Sequence, residues 1–96
     1  MNDCESVWKR IVSNSEIIEL NTITGLRLSY KVDVDNIVWI GKEPTMRTLY
    51  RQSRKTICAC FDARNRNLSP SQYPGTATSY KWALLNHPKI WFVQSI

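Results

Sequence analysis

The chain has 96 residues, 43% hydrophobic and 22% charged, a length that suits one domain rather than two and a balance that excludes intrinsic disorder. Its formal charge of +5 is unevenly placed: residues 1–43 carry five bases against seven acids, a net −2, and residues 44–96 carry eight bases against Asp62 alone, a net +7. A one-sided cationic half attracts polyanions such as nucleic acid, or an acidic protein surface.

Asp3 is placed to cap a helix beginning at Cys4, with Glu5 near the positive end of the helix dipole. Val7, Trp8, Ile11 and Val12 recur at helical spacing, which predicts a helix over residues 4–14 that ends in Ser13-Asn14-Ser15. Ile17, Ile18, Leu20 and Ile23 follow in a β-branched stretch ending at Thr24-Gly25. Leu26, Leu28, Tyr30, Val32 and Val34 then alternate with Arg27, Ser29, Lys31, Asp33 and Asp35. That period of two predicts a strand with one buried and one wet face. Asp35-Asn36 reads as a turn and Ile37-Val38-Trp39-Ile40 as the next strand, so three strands form an antiparallel meander.

Gly41 to Thr45 reads as a loop. Met46, Leu49 and Tyr50 fit a helix, whereas the alternation over residues 47–51 suits a short strand; we expect an extended piece at residues 46–51. Ser53 then caps a short helix at residues 54–64, whose Ile57, Cys58, Ala59, Cys60, Phe61 and Ala63 are compact and apolar. Residues 65–78, with Pro70, Pro74 and Gly75, form the long loop. Thr78 or Ser79 caps a last helix over residues 80–86, with Tyr80, Ala83 and Leu84 on one side and Pro88 as its stop. Ile90-Trp91-Phe92-Val93 is expected as a closing strand. The predicted fold is α+β in a single domain spanning residues 1–96: an N-terminal helix, an antiparallel sheet of three to five strands, and one or two short helices in the C-terminal half.

No apolar run reaches the ~20 residues of a membrane span. Asn2, Asp3 and Glu5 are the wrong chemistry for a signal peptide. Three cysteines, Cys4, Cys58 and Cys60, make an odd count that argues against a disulfide framework and for a reducing compartment, most simply a cytoplasm.

The amphipathic Leu28-Ser29-Tyr30-Lys31-Val32 strand, the basic Arg51-Gln52-Ser53-Arg54-Lys55-Thr56-Ile57 segment, a Pro-containing loop and the Ser79-Tyr80…Ala83-Leu84-Leu85…Pro88-Lys89-Ile90 stretch follow in that order. In this the chain resembles small bacterial proteins of the sort carried as integron gene cassettes, over about residues 28–90. Those proteins are largely of unknown function, so the resemblance implies context and no mechanism.

Arg47, Arg51, Arg54, Lys55, Arg64 and Arg66 lie within twenty positions of one another and are the candidate contacts to nucleic acid or to an acidic partner. A solvated face, or ion pairs to the acidic N-terminal half, is the plainer alternative. Tyr73, Tyr80, Trp82, Trp91 and Phe92 cluster late in the chain. Tyr80, Trp82 and Trp91 are the candidate aromatic surface, with Trp82 off the apolar side of the last helix. The plainer alternative is that most of these rings are core, with Trp39 and Trp91 in the core or a dimer interface. The Ile90-Trp91 tail, if exposed, suggests a homodimer. His87 at a helix end is read as a capping residue. Cys58-x-Cys60 has neither the spacing nor the further ligands of a zinc site, and Gly25, Gly41 and Gly75 are too far apart for a phosphate loop, so no metal and no cofactor is expected. Asp33 and Asp35 read as a solvated pair flanking a turn. No nucleophile–base set is visible, and an enzyme is not expected. Three functions remain: a non-enzymatic module binding nucleic acid, a protein–protein accessory module, and a small-ligand binder with a pocket lined by Tyr80, Trp82 and His87.

Overall fold

Helix α1 (Cys4–Ser13) forms where the apolar stripe predicted it, and its start is fixed by Asp3, whose carboxylate accepts the Ser6 N–H at 2.7 Å. The structure, a computed structural model, describes residues 3–41 and 48–92. The stripe of Val7, Trp8 and Ile11 is buried against a four-stranded antiparallel sheet of order β1 (Leu20–Asn21), β2 (Arg27–Asp33), β3 (Asn36–Gly41) and β4 (Thr48–Ser53). Each such side chain contributes about 1.5–3 kcal/mol when taken out of water. The Tyr30 hydroxyl donates to the Ile11 carbonyl at 2.7 Å and so pins the sheet to α1. Burial pushes that phenol well above its ordinary range.

Register follows from alternation. Tyr30 pairs with Trp39 and Val32 with Ile37, so Leu28, Tyr30, Ile37 and Trp39 share the core face, where all four are buried. Lys31, Val38 and Arg51 stand opposite one another in the row on the other face. The β2–β3 hairpin turns on Val34-Asp35, between the Asp33–Asn36 pair, and Val34 takes a φ of 56°, a left-handed conformation that a β-branched residue enters at a cost. A bulge at Trp39/Ile40 lets β4 begin at Thr48. Of the extended piece expected at residues 46–51, positions 46 and 47 lie outside the described residues, and β4 runs on to Ser53.

Among the described residues three short α-helices, α2 (Arg54–Cys58), α3 (Phe61–Asn65) and α4 (Thr78–Leu85), and a single 3-10 turn at Pro70–Gln72 complete the fold. The single helix expected at residues 54–64 is two, because the chain tightens after Cys58, where the Cys60 N–H reaches the Ile57 carbonyl. Helix α4 starts earlier than expected, on Ala77 in left-handed conformation (φ 51°), and neither Thr78 nor Ser79 caps it. It buries Lys81, Ala83, Leu84 and Leu85 rather than one narrow side. Trp39 sits in the middle of the core, 6.3 Å from the Tyr30 ring and 5.7 Å from the Tyr80 ring. Its indole N–H donates to Gln52, whose amide in turn donates to the Thr76 carbonyl, so the long loop is laid back onto the sheet.

The expected closing strand does not form. Residues 88–90 make a turn in which the Ile90 and Trp91 N–H groups both reach the His87 carbonyl. Ile90 is 0% and Trp91 5% exposed, so these two spend their apolar area inside their own chain, while Phe92 beside them is 53% exposed. Val93 lies outside the described residues.

Candidate functional site

Of the six basic candidates, Arg47 lies outside the described residues. Arg51, on the outer face of β4, reaches Asp33 of β2 at 2.9 Å. Arg54 meets Glu5 of α1 at 3.0 Å and stands 5.6 Å over the Trp8 ring. Arg66 meets Asp62 one helical turn back at 3.3 Å. Lys55 is exposed and has no carboxylate partner among the described residues. Three of the arginines are thus partly neutralised within the chain, and the acids that do it come from both halves. Surface pairs of this kind contribute about 0–1 kcal/mol, so they reduce the local field without locking the side chains.

The aromatic candidates are less exposed than expected. Tyr80 and Trp82 are half-buried and packed against the core, and Trp91 is buried edge-on against Phe61, with ring centroids 5.2 Å apart. Trp91 is therefore not a surface ring, and Trp82 is not a freely exposed one. Phe92, which the sequence places in the same late aromatic cluster, is half-exposed with the Arg10 guanidinium 3.9 Å above it.

Arg64 differs from its neighbours. Helix α3 turns it inward, leaving it 9% exposed. Its Nε donates to the Leu85 carbonyl at 2.8 Å, in the last turn of α4 where the helix dipole is negative. A second nitrogen donates to Asn67 Oδ1 at 2.9 Å, and the guanidinium carbon stands 5.2 Å over the Trp91 ring. All its partners are neutral. Among the described residues no fully buried side-chain nitrogen or oxygen lacks a partner, so the remaining guanidinium nitrogen must reach solvent. Arg64 also lines a cleft of about 390 Å³, together with Asn86, Pro88, Trp91 and Phe92. A largely desolvated cation beside aromatic walls is a fitting seat for a carboxylate or phosphate. None of Tyr80, Trp82 and His87, the residues expected to line a small-ligand pocket, lines this cleft. No residue pattern separates Arg64 from the other arginines; only its inward position on α3 does.

His87 does not act as a cationic cap. Its Nδ1 accepts the Lys89 N–H at 3.1 Å, and burial, then the charge of Lys89, holds its pKa below the usual value. Lys81 is 1% exposed, and its ammonium donates to the Pro74 carbonyl at 2.8 Å beneath Gly75. Cys60 lies beside it, its thiol pushed up by burial against the opposing effect of Lys81. Among the described residues no three His, Cys, Asp or Glu side chains gather as a metal site.

The cysteine count misled. Cys4, the first residue of α1, and Cys58, the last of α2, form a disulfide with Cα atoms 5.6 Å apart, and Cys60 is the odd thiol left over. A second cleft, of about 380 Å³, is lined by Cys4, Asp35, Ser53, Arg54, Lys55 and Cys58.

The chain matches no family model, no curated protein and no solved structure. Among the described residues no helix is long and apolar enough to cross a membrane.

Proposed function

We propose that this chain is a small non-enzymatic binding module whose ligand presents a carboxylate or phosphate to Arg64. The observation behind this is a buried guanidinium with neutral partners only, on a residue that lines a cleft with Trp91 and Phe92. An incoming anion would replace water there with a charge-assisted contact to the one guanidinium nitrogen that Leu85 and Asn67 leave over. Binding is tested by tryptophan fluorescence, titrating inorganic phosphate, acetate and an oligothymidylate. Saturable quenching by one of them is expected, and it should weaken in Arg64→Lys and in the rim variant Phe92→Ala, each checked for fold by circular dichroism. No saturable change with any of the three at millimolar concentration would end the proposal.

The +7 charge of residues 44–96 favours a second reading, nucleic acid held as a polyanion by Lys55 and the displaceable Arg51, Arg54 and Arg66. Its mark would be oligothymidylate binding that falls steeply with salt and is unaffected at Arg64. An acidic protein docked on the same residues would instead be captured in a nuclease-insensitive form. A cytoplasmic location and a homodimer are further proposals; sedimentation as a monomer at micromolar concentration would remove the dimer.

A further inference from the structure

We propose that Cys4 and Cys58 form a thiol–disulfide exchange site for a zwitterionic peptide thiol. Tertiary folding brings together two cysteines 54 positions apart, at a junction between helix ends rather than in the core. Both are half-buried, in contrast to Cys60, which is fully enclosed. They line a cleft of about 380 Å³, within the ~300–1,000 Å³ range of ligand sites. The wall itself is mostly apolar, and the residues that form it besides the cysteines include charges of both signs. Arg54 and Lys55 precede Cys58 by about one turn of α2, and Asp35 stands in the same cleft. Lys55 has no carboxylate partner among the described residues, and Arg54 is shared with Glu5, itself 68% exposed and replaceable. Peptide carboxylates fit Lys55 and Arg54, and a peptide ammonium fits Asp35. A plain anion or a neutral thiol would satisfy only part of that set.

The step balances without an external oxidant. The peptide thiolate attacks Cys58 Sγ and forms a new sulfur–sulfur bond to it. The Cys4–Cys58 bond breaks, and its electron pair leaves on Cys4 Sγ as thiolate, which takes a proton from water. Cys4 is the better leaving group because it opens the ten-residue helix α1, whose N–H groups favour negative charge. Of the carboxylates beside it, Asp3 is taken up by the Ser6 N–H. Attack by Cys4 on the mixed disulfide reverses the step, and a second peptide thiolate attacking its peptide sulfur completes reduction to the dithiol. Such exchange would set the state of this bond in a thiol-rich compartment.

The test uses the full chain carrying Cys60→Ser, treated with reduced glutathione, acid-quenched and mapped by mass spectrometry. A glutathione adduct on Cys58 is expected in the folded protein. Oxidised glutathione should load Cys58 stably in a Cys4→Ser variant, where no resolving thiol remains. Lys55→Glu, at an exposed site, should slow the reaction with glutathione about tenfold while leaving that with 2-mercaptoethanol unchanged. An adduct seen only in denaturant, or equal slowing for both thiols, would overturn the proposal. So would no slowing at all.

Discussion

The covalent tie between α1 and α2 makes a quantitative demand on stability. Changing both Cys4 and Cys58 to Ser releases a cross-link between positions 54 apart in sequence. In the chain-entropy treatment, closing a loop of that length raises the free energy of the unfolded chain by about 4 kcal/mol. A domain of this size has about 5–15 kcal/mol in total, so the loss would be a large share of it. At roughly 4–8 °C per kcal/mol, the melting temperature should fall by about 15–30 °C. Urea unfolding of the wild type, the double variant and the reduced wild type checks this. The two uncross-linked forms should agree in midpoint, and both should show a steeper denaturant dependence, since a freer unfolded chain exposes more surface. An unchanged midpoint in both would show that this junction adds nothing to the folded state and would refute the reasoning.

Replacing Val34 with Gly at the β2–β3 turn should stabilise the protein by about 1 kcal/mol, because Gly enters the left-handed region freely and Val34, 83% exposed, surrenders little burial; an unchanged or lower urea midpoint would contradict this. Gln52→Leu should cost about 1–3 kcal/mol, since it leaves the buried Trp39 indole N–H without an acceptor and hands the Thr76 carbonyl to water, and the near-ultraviolet tryptophan signal should change with it. For His87 the folded pKa lies below the usual 6.5, so the folded chain binds fewer protons than the unfolded one. Its contribution is full above that value and is lost as pH falls toward the folded pKa. Urea midpoints should therefore decline on acidification, less so in His87→Asn; equal pH profiles for the two proteins would exclude this contribution.

Periodicity carried α1 and β2 because each depends on one apolar face recurring at its own spacing. Leu28 and Tyr30 could be placed inward from the alternation with Arg27, Ser29 and Lys31 alone. The helix over residues 54–64 misled because a run of compact apolar residues says nothing about where the chain tightens to bury Ile57 and Cys60. The tail misled for a related reason: Ile90 and Trp91 have the same composition whether they cover a neighbour or fill their own core.

Local order was written in the chain: the α+β class, a hairpin read at Asp35-Asn36 and formed one residue earlier at Val34-Asp35, the long loop and the position of each basic residue along it. What each charge and sulfur does was settled only by folding. Arg64 points inward while Arg66, two residues later, points to water; Lys81 lies under a loop; Cys4 meets Cys58 across half the sequence. Secondary structure answers to neighbours a few positions away, whereas desolvation, ion pairing and sulfur bonding depend on distances through space, and those exist only once distant segments have packed.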